Sequence, residues 1–342
     1  LLKLQTKCTN ILQYPCILSK AYLTDKKELP GASLKVTDED GNTVDEWVSK
    51  EEAHIIKGLI VGKKYKMTET KPADGYVTAE SIEFTVENTK EVQKHQMLDD
   101  VTKVEISKKD ITDSSEVPGA KLIILDKDGK KVESWTSTDK PHMVEKLPVG
   151  EYTLREEQAP DGYLIAEDVK FTVKDTGKVQ KVKMKDAHPY GKLVIKKTDS
   201  TSKAALSGAE FELREKESGK VVEKLVTDKT GTATSGKIPI ATYKNGKVEK
   251  TVKYILVETK APNGYELSSK KEEIRFEYKD GKTKVIEIVK EIKNTKSPSG
   301  STPTGNSPKT GDSTNIWLPI LLAVLSACGI GGVIWYKKKK GN

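Results

Sequence analysis

The 342-residue chain is long enough for two or three domains, and at 35% apolar and 32% charged residues it suits small domains with thin cores better than one large enzyme core. Its formal net charge is +8, but lysine and glutamate interleave along most of its length and four positive charges are the run Lys337–Lys340; this reads as solvated sheet faces and not as a nucleic-acid surface. The cysteines are Cys8, Cys16 and Cys328, which excludes a disulfide framework for nearly all of the chain and leaves an exported protein in need of another staple.

Residues 1–15 match nothing later in the chain, which does not begin with Met and shows no basic start followed by an apolar signal core; upstream domains are expected. Three repeated units follow, at 16–101, 102–189 and 190–296. Each opens on an alternating strand that ends in lysine: Leu18 to Lys20, Val104 to Lys108, and Leu193 to Lys197. A small turn (LPGA, VPGA or LSGA) leads into a second alternating strand, and DEDGN, DKDGK and KESGK close hairpins. Trp47 and Trp135 hold matching places after those hairpins, as do His54 and His142, and a structural role is expected for all four.

The strongest repeat comes next in each unit: YKMTETKPADGY from Tyr65, YTLREEQAPDGY from Tyr152 and YILVETKAPNGY from Tyr254. Tyrosine, an apolar residue and glutamate stand at i, i+2 and i+4, and on a strand this spacing sends all three side chains to one face. Glu69, Glu156 and Glu258 are therefore aimed into an apolar interior, where an unpaired carboxylate costs several kcal/mol. The Pro-x-Gly-Tyr turn ends the strand. Each unit finishes with an alternating strand ending at Asp99, Asp186 or Asn294. Helical periodicity is hardly visible, and short strands with Gly and Pro turns predict an all-β chain of three tandem Ig-like β-sandwiches. The third unit is longer between Gly231 and Lys253, which predicts an extended loop or an extra hairpin.

A Ser/Thr/Pro/Gly linker is expected over 297–306. Residues 316–336 form an uncharged apolar run flanked by Trp317, Trp335 and Tyr336, long enough for one transmembrane helix. The lysines after it place the C-terminus in the cytoplasm and everything before it outside.

The alternation directs Lys108, Glu156 and Asp186 into one core, with Lys20, Glu69 and Asp99 matching them in the first unit and Lys197, Glu258 and Asn294 in the third. Burial drives an amine towards its neutral, nucleophilic form and a carboxyl towards its protonated form. A neutral Glu between the other two polarises the Asp or Asn carbonyl and shuttles protons while the amine attacks, giving an isopeptide bond with loss of water or ammonia. The same sets also permit a salt-bridged triad that never reacts.

The lysine strand, the L-x-GA turn, the Y-x-L-x-E-x-x-AP-x-GY box and the terminal Asp/Asn strand resemble the Cna-B/SpaA-type prealbumin-like domains of Gram-positive surface proteins and pilins, over residues 16–296. The resemblance implies cross-links Lys20–Asp99, Lys108–Asp186 and Lys197–Asn294, with Glu69, Glu156 and Glu258 as catalysts. The family's Lys-x-Asp pattern is kept by Asp110 and Asp199, whereas the first unit has Tyr22 and a KPADGY box. By analogy with disulfides, closing loops of this length stabilises by roughly 4 to 5 kcal/mol.

Ser307-Pro308-Lys309-Thr310-Gly311, followed by the apolar run and lysines, is similar to an LPxTG-type sortase sorting signal with Ser307 in place of Leu. The similarity implies cleavage between Thr310 and Gly311, with Thr310 passed to peptidoglycan. The apolar run and lysines hold the precursor in the membrane before sorting. The expected partners are thus sortase, peptidoglycan and the membrane, with a host or cell-surface ligand and other pilins as further candidates and no nucleic acid. No cofactor or metal is expected: DEDG and DKDG lack the later ligands of a calcium loop, and the four histidines lack metal-ligand spacing. The leading reading is a wall-anchored stalk or adhesin, not an enzyme. The alternatives are a pilin, which would need an acceptor lysine of which TYKNG is only a faint echo, and a tether for an upstream enzyme.

Overall fold

Period-two alternation of apolar and polar residues makes strands with one buried face, and in the computed structural model every regular element among the described residues is a strand. The structure describes residues 12–89 and 91–298, and the chain divides into a unit Leu1–Lys296 and a unit Ser297–Asn342. The first unit of that division contains three sandwiches of like design.

In the first domain the lysine strand, Gln13–Tyr22, is central in a three-stranded sheet. It pairs antiparallel with His54–Ile60 and parallel with the terminal strand, Gln93–Asp99. The facing sheet runs Thr43–Val48, Ser33–Thr37, Lys64–Lys71, Ile82–Thr85, with the Glu69 box on Lys64–Lys71. The second domain repeats this: Lys103–Asp110 lies between His142–Glu145 and Val179–Asp186, and the facing sheet runs Lys131–Thr136, Lys121–Asp126, Gly150–Gln158, Val169–Val173. In the third, Tyr190–Asp199 pairs parallel with Val285–Asn294 and antiparallel with Thr232–Thr234 and Ile238–Pro239. Its facing sheet runs Val221–Val226, Glu210–Glu215, Lys253–Lys260, Lys271–Arg275. The extra length there is a hairpin, Ala241–Lys244 with Lys247–Thr251, the second of the two forms its sequence allows.

The core of each sandwich lies between the sheets. In the first it joins Cys16 and Leu18 of the lysine strand to Leu34, Val36, Tyr65 and Met67 of the facing sheet; burying each large apolar side chain contributes roughly 1.5–3 kcal/mol. The small turn after the lysine strand is fixed the same way three times. The Ser49, Ser137 and Thr227 hydroxyls accept from the backbone N–H of Ala32, Ala120 and Ala209 at 2.9, 2.9 and 3.0 Å. The predicted DEDGN and DKDGK hairpins form, with Asp38 and Asp126 accepting from the backbone across their own turns. Trp47 and Trp135 lie on the sheet face, each stacked on its matching histidine, His54 at 4.3 Å and His142 at 4.4 Å between ring centres.

No helix among the described residues is long and apolar enough to cross a membrane. The predicted span 316–336, the motif 307–311 and most of the linker lie outside the described residues, as do residues 1–11.

Candidate functional site: three buried lysine–carboxyl centres

First and last strands of each domain are parallel neighbours, so their registers can be compared directly. Lys20 stands beside Met97 with Asp99 two residues on, Lys108 beside Met184 with Asp186 two on, and Lys197 beside Ile292 with Asn294 two on. A two-residue step keeps both side chains on the same face of the sheet. The lysine Nζ therefore reaches diagonally along that face onto Oδ1 of Asp99, Asp186 or Asn294. From the opposite sheet, the box glutamate closes the triangle: Lys20 Nζ lies 2.9 Å from Glu69, Lys108 Nζ 3.0 Å from Glu156 and Lys197 Nζ 2.9 Å from Glu258. All nine predicted side chains come together in threes, and the lysines are among the most buried residues in the molecule, 0–2% exposed.

The glutamates are oriented from behind. Glu69, Glu156 and Glu258 each accept through Oε2 from a backbone N–H ten residues on, from Ala79 at 2.6 Å, Ala166 at 2.7 Å and Ser268 at 2.9 Å. These residues carry no side-chain signal, which is why motif reading passes over them. The box tyrosines fix the same strand: Tyr65 Oη accepts from Ile60 N–H, while Tyr152 and Tyr254 donate to the carbonyls of Pro148 and Pro239. The turn that follows needs glycine, since Gly75, Gly162 and Gly264 have φ of 84°, 88° and 83°.

Burial pushes the carboxyls of Asp99 and Asp186 up to about 7, against the pull of Lys20 and Lys108 and with help from the neighbouring glutamates. Burial likewise lowers the Lys197 amine, partly offset by Glu258. The sequence reading puts the neutral carboxyl on the glutamate, whereas the structure raises the aspartates. Asp99 Oδ2, Asp186 Oδ2 and Glu156 Oε1 are buried without a hydrogen-bond donor. At the third centre Asn294 Nδ2 donates to Glu258 Oε1 at 3.0 Å. A proton on the aspartate gives the first two centres the hydrogen bond that the amide supplies in the third.

The Lys-x-Asp pattern has its own role. Asp110 accepts from Tyr163 Oη at 2.7 Å and from the Thr112 N–H, and Asp199 accepts from Tyr265 Oη at 2.9 Å and from the N–H groups of Thr201 and Ser202. It ties the end of the lysine strand to the box turn. Burial opposes ionisation of Asp110, but hydrogen bonds from Thr112, Tyr163 and His188 hold it down to about 2. In the first domain Tyr22 makes the tie by packing on Tyr76, ring centres 5.5 Å apart. The departure at Tyr22 thus changes the turn anchor and leaves the Lys20 centre assembled like the others.

The prealbumin-like fold domain of SpaA matches residues 16–100, 102–188 and 191–292. The chain belongs to the SpaA prealbumin-like family. Among solved structures, this SpaA-type chain is similar to the Bacillus anthracis TIE protein, at 27% identity and a TM-score of 0.54, over 83% of this chain and 51% of that one. It thus spans about half the length of that structure. It is also similar to BcpA, the major pilin subunit of Bacillus cereus, at 18% identity and a TM-score of 0.49, over 84% of this chain and all of that one. The full-length major pilin SpaD of Corynebacterium diphtheriae gives 18% identity and a TM-score of 0.38 over 84% of this chain and 98% of that one. No curated protein matches the chain.

Proposed function

We propose that this chain is a cell-wall-anchored surface protein of a Gram-positive bacterium, a stalk or adhesin whose three domains are each closed by a self-formed isopeptide bond. The observation that carries the reading is the threefold recurrence of a fully buried lysine within reach of both a glutamate and an Asp or Asn. Leaving even one such group unpaired in a core costs several kcal/mol, and a covalent product removes the charges altogether.

The reaction needs no cofactor. A neutral Lys108 Nζ attacks Cγ of the protonated Asp186; the C–N bond forms, the C–O bond breaks, and the hydroxyl leaves as water with a proton from the amine. Glu156 takes that proton and returns it to the leaving oxygen, so it ends unchanged. At the third centre the same step expels ammonia from Asn294. Each glutamate turns over once, which makes the chain self-modifying and not an enzyme. The bond joins the first strand of the domain to the last, so a pull along the chain passes through the covalent link and leaves the sandwich unloaded.

Attachment follows from the sequence motif 307–311: sortase cleaves between Thr310 and Gly311 and links Thr310 to peptidoglycan. Digestion of walls from cells expressing the chain tests this. The chain is expected on muramidase-released wall fragments, with Thr310→Ala retained in the membrane; wild-type chain left uncleaved in the membrane of sortase-positive cells contradicts it. A ladder of covalent multimers in the same extract would identify a pilus subunit in place of a monomeric stalk.

A further inference from the structure

The two junctions between neighbouring domains are built differently. Between the first and second domains the contacts are polar or run backbone to backbone. Gly75 packs so close to the Lys146 backbone that no Cβ fits there, as also happens at Gly246 in the second junction. Where the second domain begins, the Thr102 hydroxyl donates to the Leu147 carbonyl at 2.6 Å. Thr78 donates its N–H and hydroxyl to Asp175 at 2.9 and 2.6 Å in an exposed position. The Lys146 amine sits 5.6 and 5.4 Å from the ring centres of Tyr22 and Tyr76. The apolar cluster at this end (Leu29, Ala32, Ala73 and Tyr76, with Tyr22 and Val101) takes no residue from the second domain.

Between the second and third domains the extra hairpin enters its neighbour. Tyr243 lies flat on His188, ring centres 3.5 Å apart and planes within 3°. It meets Tyr163 edge-on at 5.2 Å and donates its hydroxyl to the Gly162 carbonyl at 2.7 Å. His188 is pinned from beneath by Asp110 at 2.8 Å. Tyr278 Oη donates to the Tyr163 carbonyl at 3.1 Å, and the Ile165 N–H donates to the Gly281 carbonyl at 2.8 Å. Gly246, at φ 69°, packs so close to the Glu116–Val117 backbone that no Cβ fits there. The apolar cluster of Val117, Ala159 and Tyr163 includes Tyr243 and so continues across the junction.

We propose that the 241–251 hairpin is a docking element whose partner is the box-turn end of the preceding domain, so that the second and third domains move as one rigid body and the chain hinges between the first and second. Relative motion is the default at small polar interfaces and is suppressed where an apolar core crosses them. A lysine amine over two tyrosine rings is a weak and adjustable contact, whereas a ring held by a stack on one face, an edge contact and its hydroxyl has one seat. The inference is independent of whether the lysines react, since it uses none of the nine residues of the three centres.

The test uses spin labels on the tips of the equivalent hairpin turns in the full chain, with Cys8→Ser and Cys328→Ser and the fully buried Cys16 retained. One pair is Asp40→Cys with Asp128→Cys, the other Asp128→Cys with Ser218→Cys. Pulsed dipolar spectroscopy is expected to give a narrow distance distribution for the second pair and a broad one for the first. Tyr243→Ala should widen the second distribution to match the first and leave the first unchanged, which also reports that the rest of the molecule is folded. Tyr243→Phe, which keeps the stacked ring, should stay close to wild type. Equal widths in the wild-type chain, or a narrow second distribution in Tyr243→Ala, would overturn the proposal.

Discussion

The third centre differs from the first two in a single group, and the difference shows what the two aspartate centres lack. Asn294 presents an amide N–H to Glu258, where Asp99 and Asp186 present a second oxygen to Glu69 and Glu156. Two facing carboxylate oxygens repel, and only a proton between them reproduces the bond that the amide makes unaided. Burial supplies the driving force, since it raises both aspartates to about 7. Under the proposed reaction the aspartate centres depend on pH through their electrophile, and the asparagine centre does not.

The largest expected effect treats all three centres alike. Lys108→Ala and Lys197→Ala each remove one of the proposed cross-links, which would close loops of 78 and 97 residues in separation, and should cost their domain roughly 4 to 5 kcal/mol. In calorimetry that is a fall on the order of 20 °C in that domain's midpoint; a much smaller fall for Lys197→Ala would separate the asparagine centre from the others.

The pH dependence sharpens the contrast. An ordinary aspartate ionises near 3.8; here the acid form persists to about pH 7 and is lost above it, and a carboxylate does not accept an amine. When chain unfolded from inclusion bodies is refolded and followed by mass, the rate of water loss divided by the rate of ammonia loss should be flat below about pH 7. Above it the ratio should fall about tenfold per pH unit. Asp186→Asn should bring the second centre to the behaviour of the third, releasing ammonia with no such fall.

Smaller effects distinguish the turn anchors. Tyr163→Phe removes a buried hydrogen bond to ionised Asp110 and should cost about 1.5–3 kcal/mol in denaturant titration. Tyr265→Phe, whose ring is half-exposed, should cost about 1 kcal/mol or less. Of similar size, His142→Ala loses its stack on Trp135, about 0.5–1.5 kcal/mol, and His54→Ala loses the matching stack on Trp47 together with a hydrogen bond to Asp45 at 2.8 Å.

Much of this was legible in the sequence because it rests on period-two alternation and on repetition. Spacing along a strand decides which side chains share a face, so Lys108, Glu156 and Asp186 were placed in one core from their positions alone. What escaped depends on backbone groups or on contacts between repeats. The N–H groups of Ala79, Ala166 and Ser268 that orient the glutamates have no side-chain signature. Tyr22 read as a departure because its partner, Tyr76, is reached only by folding. Tyr243 and His188 belong to different repeats, so a comparison of repeats with one another does not pair them. Alternation also gives the face of a carboxyl and not the identity of its neighbour across the sheets, so it does not say that burial raises Asp99 and Asp186.

The central claim is tested most directly by the intact mass of the purified chain beside Glu69→Ala, Glu156→Ala and Glu258→Ala. The account predicts a wild-type mass short of two waters and one ammonia, with Glu69→Ala and Glu156→Ala each regaining one water and Glu258→Ala regaining the ammonia. An unmodified mass in all four samples would mean that the lysines are held in inert ion pairs, and would contradict it.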